Sequence, residues 1–168
     1  PYTTALCCVA TKDGEHPLKM CNQNSLRFYD DVAYDPVFNG LVCEEDEGNR
    51  LAKAMGDKLA LLQRHHGVIV CGATVAEAFD DLYYLERAAM VQVLAASTGA
   101  ELHVVDNMTA KATKQEQDKI KPAYAKAHLE AWKRELRRTE GSSSFGGMLP
   151  VVAASMLALT TLFLLRGR

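Results

Sequence analysis

His66 is the residue whose surroundings point most directly to chemistry. It lies in the run Leu59-Ala60-Leu61-Leu62-Gln63-Arg64-His65-His66-Gly67-Val68-Ile69-Val70-Cys71-Gly72, at a glycine turn between two short apolar stretches. An imidazole there is held by backbone on both sides, which suits a metal ligand better than a flexible loop would. Spacing alone favours the plainer alternative, a buried turn histidine hydrogen-bonded to backbone. No neighbour completes a ligand set. His16 sits in a polar turn, Gly14-Glu15-His16-Pro17, and His65 should point away from His66 if the turn is extended. Cys7 and Cys8 are adjacent on an expected helix, where neighbours splay apart. His128 lies four residues before Trp132 on one helix face, a spacing that suits packing. Catalytic zinc needs about three protein ligands plus an open position, so one imidazole cannot hold it.

The acidic run Glu44-Glu45-Asp46-Glu47-Gly48-Asn49-Arg50 is a better helix start than a cation site. Carboxylates favour the first turn of a helix, where the backbone dipole is positive. That helix should continue through Leu51, Ala52 and Met55 and stop at Gly56-Asp57.

The elements that must position His66 follow from apolar patterning. Residues 2–10 read as a short helix, Pro17–Met20 as a short strand and Val32–Tyr34 as another. Leu59–Leu62 and Val68–Val70 are apolar runs bounded by turns, the pattern of strands buried on both faces. Thr74 and Glu77 form a capping-box pattern at the start of a long helix. Val75, Phe79, Leu82, Ala89 and Val93 fall near one face of it. Tyr83, Tyr84, Glu86 and Arg87 are read as packing and surface residues, with a subunit seam or site edge as the alternative. Leu102–Val105 is an expected extended piece. A polar helix should span 113–138, kinked or split at Pro122.

The His-Gly turn, the apolar strand ending in Gly72 and the helix start Thr74-Val75-Ala76-Glu77-Ala78-Phe79 together resemble the class II aldolase and adducin head family. Pro1-Tyr2-Thr3-Thr4-Ala5-Leu6 resembles the segment that follows the family's His-x-His pair. The resemblance implies a three-layer α/β/α domain over 1–138, lacking the N-terminal part that carries that pair. In the family the pair supplies two metal ligands and the histidine of the His-Gly turn the third. His66 is therefore the implied metal ligand, zinc the implied cofactor, and the catalytic acid/base has no counterpart in this sequence. The family also implies ring-like homo-oligomers.

Composition changes abruptly after 138. Residues 139–147, with Gly141-Ser142-Ser143-Ser144-Phe145-Gly146-Gly147, read as a linker. Residues 148–165 form eighteen uncharged positions followed by Arg166-Gly167-Arg168, a candidate transmembrane helix at the lower length limit. Lys133, Arg134, Arg137 and Arg138 outnumber the two basic residues after it, which would place the domain on the cytosolic side of a single-pass C-terminal anchor. A core helix, and hence a cytoplasmic protein, is the alternative.

The formal net charge of −2 gives no general attraction to nucleic acid. Five cysteines without zinc or redox spacing fit a reducing compartment. The resemblance implies one of two functions. One is a metal-dependent aldehyde-lyase that cleaves a carbon–carbon bond in a hydroxy-carbonyl or sugar-phosphate substrate, expected to be inactive as this chain stands. The other is a non-catalytic, adducin-head-like scaffold module at a membrane.

Overall fold

The computed structural model describes residues 1–9, 15–40 and 45–142. By internal packing the chain divides into two units, Pro1–Ala131 and Trp132–Arg168. In chain order the elements are α1 (Tyr2–Cys8), α2 (Gln23–Leu26), β1 (Val32–Asp35), α3 (Glu45–Met55), β2 (Ala60–Gln63), β3 (Gly67–Val70), α4 (Val75–Ala96) and α5 (Asn107–Ser142).

The three strands form one sheet in the order β1-β2-β3. β1 runs parallel to β2, with Val32 opposite Ala60 and Asp35 opposite Gln63. The two apolar runs form the strands β2 and β3, adjacent and antiparallel across the His65-His66-Gly67 segment, with Leu61 opposite Ile69 and Gln63 opposite Gly67. Side chains alternate across a sheet, and the burial follows. Val32, Tyr34, Ala60, Leu62, Val68 and Val70 share one face and pack with Leu6 and Cys7 of α1, Leu18, Phe28, and Leu85, Ala88 and Ala89 of α4. Leu61, fully buried, and Asp35 lie on the other face, where α3 meets β1 through Arg50. The layering is thus helix, sheet, helix. β2 is buried throughout, as expected of a central strand. β3 is the edge of the described sheet, and after Gly67 it is only half-buried.

α3 ends at Met55, and Gly56 then takes φ +59°, the left-handed stop that glycine supplies without strain. At α4, the Thr74 hydroxyl accepts the Glu77 amide at 3.2 Å. The Glu77 carboxylate accepts that hydroxyl rather than the Thr74 amide, so the expected box forms only in part. A complete capping box stands instead at α2, between Asn22 and Ser25.

Three expectations need correction. Pro17–Met20 is not a strand. Its backbone bonds to a side chain instead: Gln92 accepts the Lys19 amide and donates to the Pro17 carbonyl, each at 2.8 Å. Leu102–Val105 lies between α4 and α5 outside any helix or strand, and the Val105 amide donates to the Met20 carbonyl at 2.9 Å. The buried face of α4 carries Leu85, Ala88, Ala89 and Gln92 together with Asp80 and Asp81, whereas Val75 is exposed. The final helix starts earlier than expected and is not split. Asp106 caps it by accepting the Thr109 amide at 2.9 Å, a bond that also holds the Asp106 carboxyl below its usual range. Pro122 removes one backbone bond, but the residues around it are anchored: Lys121 pairs with Asp81 at 2.8 Å and Ala125 is fully buried.

The described part of the second unit is the exposed end of α5, where Arg138 pairs with Glu135 at 2.6 Å. The candidate apolar helix at 148–165 lies outside the described residues. Among the described residues, no helix is long and apolar enough to cross a membrane.

Candidate functional site

The His66 turn is built by three residues between paired strands. The His66 amide donates to the Gln63 carbonyl at 3.1 Å, closing a four-residue turn, and the Arg64 amide donates to the Asp35 carbonyl at 2.9 Å. The strain falls on His65, which takes φ +59°. A non-glycine residue adopts that region only when its surroundings hold it there. His65 is held by its amide, which donates to the Cys7 carbonyl at 3.1 Å, and its ring meets Phe38 edge-on at 5.9 Å between centroids. Gly67 follows at φ +150°, and a Cβ there would lie 3.5 Å from the Thr4 hydroxyl.

His66 itself is exposed. The buried-histidine alternative is therefore wrong: among the described residues, the bond given to His66 is through its backbone amide. The residue lines a small open cleft with Asp35, Phe38, Glu47, Arg50 and Arg64. The cleft is polar, but its carboxylates are already committed. Asp35, almost fully buried, accepts both terminal nitrogens of Arg50 at 3.0 and 2.7 Å and the Val37 amide at 3.1 Å. Glu47 accepts Arg50 at 2.9 and 2.7 Å and Asn39 at 3.1 Å. These bonds hold Glu47 below the ordinary carboxylate range, and those from Glu47 and then Asp35 push Arg50 further above its own. Bidentate Arg–carboxylate pairs are strong and directional. Glu45–Arg50 of the acidic run thus lies in α3, as expected, and its Glu47 and Arg50 form a clamp with Asp35.

Among the described residues, no three or more His, Cys, Asp or Glu side chains come together to hold a metal. His16, excluded as a ligand on sequence, accepts the Leu18 amide through Nδ1 at 3.1 Å, and burial lowers its pKa. Cys7 and Cys8 do splay apart: Cys7 is fully buried and Cys8 exposed. Burial pushes the Cys7 thiol up to about 11, partly offset by the Gln63 amide. The donor set among the described residues thus does not fit a zinc centre by itself.

Sequence reasoning missed a second cluster. Asp80 and Asp81 are buried in α4. Arg27 bonds Asp80 and lies 3.0 Å from Asp81, Lys121 reaches the far oxygen of Asp81 at 2.8 Å, and His128 Nδ1 lies 2.7 Å from Asp80. The rings of Phe79, Tyr83 and Tyr84 surround His128, and the Arg27 guanidinium lies 4.8 Å from the centre of the Tyr84 ring. The signal was the Asp80-Asp81 doublet inside an apolar helix, since buried carboxylates require partners. Of the residues left between packing and a site edge, Glu86 packs structurally, accepting the Tyr2 and Thr3 amides and the Thr3 hydroxyl at the start of α1. Arg87 lies 5.1 Å from the centre of the Tyr83 ring.

The chain is similar to known proteins in sequence and in fold. An aldolase II superfamily protein from Pseudomonas syringae superposes with a TM-score of 0.71 at 29% identity, over 82% of this chain and 53% of that one. L-fuculose 1-phosphate aldolase from Glaciozyma antarctica superposes at 0.55 with 27% identity, over 69% and 41%. Human gamma-adducin is 36% identical over 95 residues, which are 54% of this chain and 13% of that protein. The chain spans 34% and 38% of the length of two bacterial aldolase class 2 relatives, from Caulobacter vibrioides and Pseudomonas aeruginosa. Residues 1–93, from α1 into α4, match the family model for the class II aldolase and adducin N-terminal domain, and the chain belongs to that family.

Proposed function

We propose that this domain supplies one metal-ligating imidazole, His66, to a zinc-dependent aldehyde-lyase site acting on a hydroxy-carbonyl or sugar-phosphate substrate. The remaining ligands and the catalytic acid/base would come from outside the described residues, in an enzyme assembled as a homo-oligomer. The observation that supports this is the exposed His66 on a backbone-fixed turn, within the part of the chain that matches the family. The similarity to L-fuculose 1-phosphate aldolase supports the substrate class. As it stands, the chain should bind zinc weakly and show no aldol cleavage, because one histidine is about a third of a catalytic ligand set. Equilibrium dialysis that finds stoichiometric, tightly held zinc would overturn that expectation. In a longer protein carrying an upstream His-x-His pair, His66→Ala should abolish metal-dependent turnover without unfolding the domain. Retained turnover there would remove His66 from the site.

The second reading is a non-catalytic adducin-head-like scaffold. It is supported by the similarity to gamma-adducin and by the incomplete ligand set among the described residues. In this reading residues 1–138 form the domain, 139–147 the linker and 148–165 a membrane anchor, an assignment that rests on the uncharged sequence alone. A chain ending at Ser144 should then leave the membrane fraction, while the full chain resists carbonate extraction. Full chain recovered without detergent would refute the anchor.

A further inference from the structure

We propose that Cys7 is a positioning residue for His66, through a clamp that brackets it with two hydrogen bonds. The residue before His66 is held because the His65 amide donates to the Cys7 carbonyl at 3.1 Å. The residue after it is held because the Cys7 thiol donates to the Gly67 carbonyl at 3.3 Å. One residue at the end of α1 thus fixes both flanks of an exposed imidazole, although Cys7 lies far from His66 in sequence. The thiol is suited to this task. It is fully buried and packed among Leu6, Leu62 and Leu85, so its position is set by the core rather than by solvent. Burial keeps it protonated, which a donor requires, and makes it a poor nucleophile. Its neighbour Cys8 is exposed and makes neither bond, so the role depends on which side of α1 the residue faces. The clamp also explains how His65 persists at φ +59°: its amide has a fixed acceptor in that conformation. The functional meaning of the clamp rests on the reading of His66 as the site residue, while the clamp itself does not.

The test compares the full chain with Cys7→Ala and Cys7→Ser by amide hydrogen exchange and by following the His66 ring signals in NMR during titration with zinc chloride. Cys7→Ala removes the thiol bond to the Gly67 carbonyl but keeps the carbonyl that holds the His65 amide, so it should speed exchange at His66 about tenfold while the His65 and β2 amides keep their protection. The His66 ring should then need several-fold more zinc for the same shift. Cys7→Ser, which keeps a donor of similar size, should restore both. Unchanged exchange in Cys7→Ala overturns the proposal, and so does a change that Cys7→Ser fails to restore, since that would reflect packing rather than the hydrogen bond. His66→Ala separates the two ideas. It should leave His65 protected, and zinc binding that survives it refutes the ligand reading alone.

Discussion

Two clusters of ionisable groups in this molecule are built on opposite plans. At the sheet end, His66 stands exposed on a turn, and among the described residues it is tied down through its backbone amide. In α4, Asp80 and Asp81 are buried and meet Arg27, Lys121 and His128. The first arrangement spends backbone bonds to leave a side chain available. The second spends side chains on one another and ties α4 to α5 and to the segment after α2. Buried charges demand partners because desolvation is costly, so a saturated cluster reports on structure. An exposed imidazole on a strained turn has no such explanation, and that contrast directs the functional reading to His66.

The largest expected effect comes from breaking the saturated cluster. Arg27→Met would leave Asp80 and Asp81 buried side by side with only Lys121 and His128 to balance them. Removing one partner from a buried ionic group costs about 3–5 kcal/mol, a large share of a typical domain's stability. Urea unfolding should show the midpoint falling accordingly. Adding Asp80→Asn to Arg27→Met should recover part of the loss, because one uncompensated charge is removed. A loss below about 1 kcal/mol in the single variant would mean that water already relieves the cluster, and the contrast with His66 would weaken.

The two regions also differ in how far they could be read from sequence. The β2–β3 pair and the His66 turn were legible because short apolar runs bounded by turns carry a local signal. The end of α3 was legible because Gly56 supplies the left-handed stop. The exposure of His66 was not, since turn spacing does not say which side faces solvent. The α4 face was misread because Asp80 and Asp81 count as polar in any periodicity, yet distant residues 27, 121 and 128 pay for their burial. Pro17–Met20 was misread for a similar reason: Gln92, more than seventy residues away, satisfies backbone that patterning assigned to a strand. The clamp from Cys7 is likewise a contact between segments far apart in sequence, and nothing local announces it.

A smaller effect should appear with pH at His16, a third regime between the two. It is half-buried, and burial holds its pKa below the ordinary histidine value of about 6.5. Between the folded and unfolded values the unfolded chain binds more protons, so stability rises with pH there. The contribution is complete above about pH 6.5 and is lost as pH falls through the folded value. His16→Asn keeps an acceptor for the Leu18 amide but cannot titrate. Urea midpoints measured from pH 7.5 down to pH 5 should fall less steeply in the variant than in the parent chain. Parallel slopes would show that His16 accepts a proton as readily in the folded state as in the unfolded one.

The smallest stability effect belongs to the residue assigned the largest functional one. His66 is exposed, and the bond that closes its turn uses its amide, which every substitution but proline retains. Exposed substitutions away from caps, networks and strained backbone usually change stability by less than about 0.5 kcal/mol. His66→Ala should therefore unfold in urea with a midpoint close to that of the parent chain, beside the large loss expected for Arg27→Met. The strain sits one residue earlier, at His65, so alanine at 66 has no unusual backbone angle to adopt. If His66→Ala instead cost about 2 kcal/mol or more, its ring would be packing against Phe38 and the cleft wall, and the reason to separate this histidine from the structural groups of α4 would be gone. A near-silent stability result joined to a lost zinc response is the pattern expected of a side chain held out for a ligand, because a ligand residue contributes through what it binds rather than through the fold that presents it.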